Sequence, residues 1–225
     1  FAVSTETIRR DLDELEASGR VSRAHGIAAA QPFTSEPTLA ERYRLHVAER
    51  QRIAIEAART VQPGDVVMID AGATTYHVAR RLAAQGVDLL VVTNSHGLAS
   101  ALGANPAVAV VACPGRFHLS DAAVYGTATT EFIARYRANV AIIGASGLSR
   151  DGVYDASADA AAVKRAMIER AQRIVLVADA SKFEQPAFER VCGLDAIDVV
   201  VTELEPPAAL VEALALARVE IRVAR

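Results

Sequence analysis

"VVMIDAGATT", residues 66–75, decides the fold. An unbroken apolar run ends at Asp70, a glycine follows at position 72, and two threonines stand at the start of a helical stretch. A short run apolar on both faces reads as a strand buried in a parallel sheet, and parallel strands need crossover helices. Outward from this stretch the rhythm repeats: "LLVVTN" (89–94), "AVAVVA" (107–112), "VAIIGAS" (140–146), "RIVLVAD" (173–179), "VVVTE" (199–203) and "EIRVA" (220–224). Helical patterns fill the gaps at 75–85, 95–103, 122–136, 157–172 and 207–217. Residues 65–225 therefore read as an α/β domain, layered around a mostly parallel sheet. The chain has 225 residues and is 52% hydrophobic, enough to bury a sizeable core.

Residues 1–64 have a different texture. Residues 4–17 read as a helix, with Ser4 or Thr5 able to cap it and Ile8, Leu12 and Leu15 on one stripe. Arg9 and Arg10 lie to the side of that stripe, and Gly19 is a plausible stop. "RVSRAHGIAAAQP" (20–32) reads as two short strands around a His25-Gly26 turn, a wing-like hairpin behind a helix. "QPFTSEPT" (31–38) reads as a linker, and residues 39–61 read as one long connector helix with an apolar docking face. The domain division expected is 1–30, a linker and connector at 31–64, and 65–225. With no initiator Met, the expectation is an incomplete N-terminus.

Composition excludes several classes. A net charge of −3 is not that of a basic nucleic-acid coat, so any DNA contact must be local. Cys113 and Cys192 match no zinc or redox spacing and read as reduced thiols of a cytoplasmic protein. No apolar stretch is long enough for a membrane span. The five histidines have no ligand spacing, so no metal is expected. GxSxG, HExxH and Walker patterns are absent, and no GxGxxG follows the first strand, which argues against a nicotinamide cofactor; none is expected.

Ligands of open parallel sheets bind beyond the carboxyl ends of the strands. The exits here are "DAGATT" (70–75), "TNSHG" (93–97), "CPGRF" (113–117), "GASGL" (144–148) and "DASKF" (179–183). In the first, Gly72 lets the backbone approach a ligand, and Thr74 and Thr75 open a helix whose free N–H groups favour a phosphate or carboxylate. In the second, Asn94 and Ser95 repeat the device, so two helix N-termini are expected to converge on one crevice suited to a small polyol phosphate. Lys182 reads as a partner for Asp179 or as a phosphate contact. Lys164 is open between a solvated helix lysine and a site residue, and Asp155 between a sugar-hydroxyl acceptor and a cap.

The chain resembles the DeoR family of bacterial sugar-responsive transcriptional regulators. "VSTETIRRDLDELEASGRVSRAHG" (3–26) looks like the family's recognition helix and wing, and "DAGATT", "TNS", "GASG", "VKRAMIERA" and "DASKF" occur in the order of its effector domain. The resemblance implies a partial winged helix-turn-helix followed by a sugar-phosphate-isomerase-like sensor, with the earlier part of the helix-turn-helix expected before Phe1. It implies DNA contacts through Ser4, Thr5, Thr7, Arg9, Arg10, Arg20, Arg23 and His25 on double-stranded operator DNA. It implies effector contacts through Asp70, Gly72, Ala73, Thr74, Thr75, Thr93, Asn94, Ser95, Gly115, Arg116, Gly144, Asp155, Lys164, Asp179 and Lys182. Three places depart from the family pattern, the mildest being Ala73 in "DAGATT", where the family often has another residue. Pro114 precedes Gly115-Arg116 where a Gly-Gly pair is usual, and Ala160, beside Asp159, stands where a Glu is usual.

The expected function is a repressor of a sugar or polyol catabolic operon, controlled by a phosphorylated sugar. Residues 1–25 hold four Arg against five Asp and Glu, so one module should bind DNA weakly, and a homo-oligomer is expected. The competing reading is a sugar-phosphate isomerase or deaminase with Asp155, Asp159 or Asp179 as base. A third is a dimerising interaction protein without DNA activity.

Overall fold

The computed structural model describes residues 5–17, 21–24, 27–30 and 39–225. Helix α1 (Thr5–Ala17) precedes an antiparallel hairpin of β1 (Val21–Ala24) and β2 (Ile27–Ala30), in which Val21 faces Ala30 and Ala24 faces Ile27. Ser4, Gly19, Arg20, the His25-Gly26 turn and the linker at 31–38 lie outside the described residues.

The expected connector helix 39–61 is broken. It divides into α2 (Leu39–Arg42) and α3 (Val47–Ala58), joined by a bend whose last residue, His46, has φ 53°. The physical reason is a competing donor. The Arg50 side chain hydrogen-bonds the carbonyl oxygens of Arg42 and Leu45, which a continuous helix would give to its own backbone. Ile53, Ala54, Ala57 and Ala58 of α3 are buried in the core.

The α/β domain follows in sequence: β3 (Val66–Ile69), α4 (Ala73–Gln85), β4 (Leu89–Thr93), α5 (His96–Gly103) and β5 (Val108–Ala112). A short hairpin of β6 (Arg116–His118) and β7 (Ala123–Tyr125) precedes α6 (Thr127–Ile133) and β8 (Ala138–Gly144). Then come β9 (Gly147–Ser149), β10 (Gly152–Asp155), α7 (Ala158–Ile168), β11 (Ala171–Val177), β12 (Glu189–Cys192), β13 (Val199–Thr202), α8 (Ala208–Leu216) and β14 (Glu220–Val223). The expected helix 122–136 is thus corrected to a strand and a shorter helix. Val124 N–H finds a partner in the Asn94 carbonyl, and Gly126, at φ 101°, separates strand from helix.

Seven strands form one parallel sheet in the order β14-β13-β11-β8-β3-β4-β5. Side-chain alternation splits the core in two. Val67, Ile69, Val140, Ile142, Val175 and Val177 pack under α3, α4 and α5. Met68, Ala141, Ile143, Ile174 and Leu176 pack against residues of α6, α7 and α8. From β3 the chain winds one way to β4 and β5, and from β8 the other way to β11, β13 and β14. The winding therefore reverses between β3 and β8, which leaves a crevice beyond their carboxyl ends. Among the described residues no helix is long and apolar enough to cross a membrane. Burial pushes the Cys113 thiol up to about 12 and the Cys192 thiol up to about 11.

Candidate functional site

A cavity of about 340 Å³ occupies that crevice. Its floor is the exit of β3. The backbone N–H of Gly144, at the end of β8, donates to Asp70 Oδ1 at 3.0 Å and ties the two diverging strands together. Thr75 Oγ1 donates to the Asp70 carbonyl at 2.8 Å and so fixes the turn. Gly72 is the N-cap of α4 and supplies no side-chain acceptor, so the first-turn N–H groups of that helix are left for a ligand.

Behind Asp70 lies a buried ionic triad. Lys164 Nζ donates to Asp155 Oδ2 at 2.6 Å and makes an ion-pair contact with Asp70 Oδ2 at 2.7 Å. All three side chains are under a tenth exposed. Burial opposes the ammonium charge, but Asp155 and Asp70 outweigh it and hold Lys164 above the ordinary lysine value. Asp70 is also shifted upward, but there burial prevails and raises it above the usual carboxylate range, despite Lys164 and the Gly144 N–H. Asp155 also accepts from Ser157 N–H at 3.0 Å, at the start of α7.

The opposite wall comes from the bend and the hairpin. Arg50 is 3% exposed, and its Nε donates to Asp179 Oδ2 at 3.0 Å. Burial opposes ionisation of Asp179, but the Ser181 hydroxyl and the Arg50 guanidinium hold it below its usual value. Arg42 Nη2 donates to Asp121 Oδ1 at 3.0 Å, and Tyr125 Oη donates to Asp121 Oδ2 at 3.4 Å. Lys182, half-buried in the turn Ala180–Lys182, completes the lining. Glu203 holds that turn by accepting from Ala180 N–H.

Asp70, Gly72, Ala73, Thr74, Thr75, Gly144, Asp155, Lys164 and Lys182 line the one cavity. Thr93, Asn94, Ser95, Gly115, Arg116 and Asp179 are not on its lining, so the start of α5 does not converge with that of α4 on this cavity. Thr93 Oγ1 accepts from Ser95 N–H, and Ser95 Oγ accepts from Leu98 N–H, so the N-terminus of α5 is already capped. Asn94 accepts from Ala71 N–H and donates to the Val124 carbonyl, bracing the first exit from behind. The second helix whose start reaches the cavity is α7, through Ser157 and Ala160. Gly115 serves packing: a Cβ there would meet Thr129 Oγ1 at 2.1 Å. Arg116 pairs with Asp159 at 3.2 Å and is largely exposed. Lys164 is buried, which excludes the solvated alternative. Asp179 turns to Arg50.

Sequence reading missed Arg42, Arg50, His118, Ser120, Asp121 and Tyr125, all of which line the cavity. For Arg50 a signal existed. It shares the stripe of Ile53, Ala54 and Ala57 at spacings of three, four and seven, and a cation on a buried stripe needs a buried partner. Of the residues expected to face DNA, Arg9 and Arg10 are exposed on α1, Thr7 is half-buried, and Arg9 makes an ion pair with Glu6 at 3.5 Å. The side chains of Thr5 and Arg23, and Ser4, Arg20 and His25 entirely, lie outside the described residues.

Fold and site together define a helix-and-hairpin module followed by a doubly wound sensor-type domain with a charged cavity at its switch point. The chain belongs to the DeoR family of transcriptional regulators: residues 1–32 match the DeoR-like helix-turn-helix domain and residues 45–204 match the DeoR C terminal sensor domain. It is 32% identical over 215 residues to the glycerol-3-phosphate regulon repressor of Escherichia coli K12, covering 95% of this chain and 85% of that one. It is 31% identical over 223 residues to the HTH-type transcriptional repressor GlcR of Bacillus subtilis, covering 98% and 85%. Among solved structures, eIF2B delta from Chaetomium thermophilum shares the fold at a TM-score of 0.54 and 17% identity, over 71% of this chain and 57% of that one.

Proposed function

We propose that the chain is a repressor of a sugar or polyol catabolic operon and that a phosphorylated sugar bound in the cavity controls its hold on operator DNA. The observation that carries this is the open N-terminus of α4, with Lys182 and Arg50 on the lining and the Asp70–Lys164–Asp155 triad beside them. A phosphate dianion takes the free N–H groups and the cations. Sugar hydroxyls donate to the carboxylates, which accept hydrogen bonds and repel a second anion. Asp70, Gly72, Ala73, Thr74, Thr75, Gly144, Asp155, Lys164 and Lys182 make the direct contacts in this reading. Asn94 holds the first exit in shape, while Thr93 and Ser95 close the start of α5.

Residues 1–30 carry the DNA contacts in this reading, through Ser4, Thr5, Thr7, Arg9, Arg10, Arg20, Arg23 and His25. Residues 31–64 join them to the sensor of 65–225. Two copies acting together supply the affinity that a module with near-balanced charge lacks.

The experiment is a thermal-shift screen of the full chain against sugar phosphates and their unphosphorylated counterparts. A shift that needs the phosphate and vanishes in Lys182→Ala supports the reading. A full shift in that variant removes Lys182 from the site. Turnover of any sugar phosphate would support the isomerase reading instead.

A further inference from the structure

We infer that Arg50 is an anion-binding residue that also sets the angle of the connector, so that occupancy of the cavity and the bend at 42–46 are one equilibrium. This rests on the reading of the cavity given above. The guanidinium has five N–H donors in a rigid fork. Nε serves Asp179 at the exit of β11. Nη1 serves two backbone carbonyls of the bend, those of Arg42 and Leu45. Among the described residues Nη2 makes no hydrogen bond, and Arg50 lies on the cavity lining. One planar group therefore joins sheet, bend and cavity, with two donors left for a ligand oxygen.

The bend depends on that group. His46 is held at φ 53° and ψ 37°, the left-handed region that a side-chain-bearing residue disfavours. Its neighbours are fastened to the elements around the cavity: the Tyr43 ring lies against Tyr76 of α4, centroids 4.7 Å apart and tilted by 37°, and Arg42 pairs with Asp121 on the hairpin. An anion on Nη2 orients the guanidinium further, and with it the carbonyls that shape the bend. Ligand bound only to the bent form stabilises that form by mass action. The helix-turn-helix module precedes this bend in the chain, so a fixed bend limits where the module can reach.

The test is site-resolved trypsin cleavage of the full chain, read by mass spectrometry at Arg44, which is exposed within the bend. Arg218, exposed at the end of α8, is the internal control. The probes are inorganic phosphate, glycerol 3-phosphate and ribose 5-phosphate, with binding measured separately by calorimetry. At ten times the dissociation constant, cleavage at Arg44 should slow about elevenfold and cleavage at Arg218 should not change. In Arg50→Lys, which keeps a charge for Asp179 but loses the fork, Arg44 should be cut faster without ligand. At matched occupancy its protection should fall below roughly twofold. Should that variant not fold, Asp179→Asn is the substitute: it leaves the carbonyl contacts and weakens the hold on Nε, so an intermediate rate is expected. Binding without protection at Arg44, or equal protection at Arg218, overturns the inference and leaves the cavity reading intact. If none of the three probes binds, the cavity reading falls and the inference with it.

Discussion

Two strand exits of this sheet read almost alike and do opposite work. At 70–75 the chain leaves β3 through Asp-Ala-Gly and enters α4; at 93–98 it leaves β4 through Thr-Asn-Ser and enters α5. Both offer small polar residues to a helix N-terminus. The second consumes its own offer: Ser95 caps α5 and Thr93 closes the turn before it. The first withholds its hydroxyl, because Thr75 donates backward to Asp70 and the cap is a glycine. A helix N-terminus becomes a binding site only when its own cap does not fill it. Asn94 links the two cases, since the capped exit supplies the brace that shapes the open one.

The contrast can be broken most severely at the charge behind the open exit. Lys164→Met leaves Asp70 and Asp155 buried without their cation and should cost about 3–5 kcal/mol in urea denaturation. Next comes the link between the exits. Asn94→Ala removes two hydrogen bonds of a 1% exposed side chain and should cost about 2 kcal/mol by the same measurement. Gly72→Ser converts the open exit into a copy of the capped one. The backbone there is extended and accepts a side chain, although its Cβ meets Thr75 Oγ1 at 3.0 Å. Phosphate-dependent affinity, measured by calorimetry, should fall about tenfold, equivalent to about 1.4 kcal/mol. The smallest effect belongs to Ser95→Ala, which should cost about 1 kcal/mol of stability and leave phosphate affinity unchanged. A loss of affinity in that last variant would show that the two exits are not separate in function.

Much of this contrast lay beyond sequence pattern. The seven apolar runs mark the seven strands of the sheet: the five inner strands are buried on both faces and so are largely apolar, while the edge strands β5 and β14 are only partly covered. The exits were equally visible, and seven of the site residues read from them line one cavity, joined there by Asp155 and Lys164 from the loop and helix beyond the fourth. Pattern could not rank the exits. Whether a threonine or serine hydroxyl caps its own helix, turns back to a carbonyl or faces a cavity depends on angles that a few backbone torsions set. It also could not place residues 39–61 as two helices, since the break is made by a side chain four residues beyond the bend, at Arg50. Nor could it see the hairpin at 116–125, whose strands are three residues each and take partners from distant turns.

The sequence by itself determined the class of the fold, the direction of the strands and the end of the sheet at which chemistry gathers. These follow from local rules: apolar runs bury, glycines and hydroxyls mark turns, and parallel strands need helices between them. Only the tertiary structure decided which charges meet. Asp70, Asp155 and Lys164 are separated by up to 94 positions and Arg50 and Asp179 by 129, yet each set is buried in contact. The physical reason is that an ion stays buried only if a partner of opposite charge is delivered to the same point, and delivery depends on the packing of the whole sheet rather than on any stretch of chain.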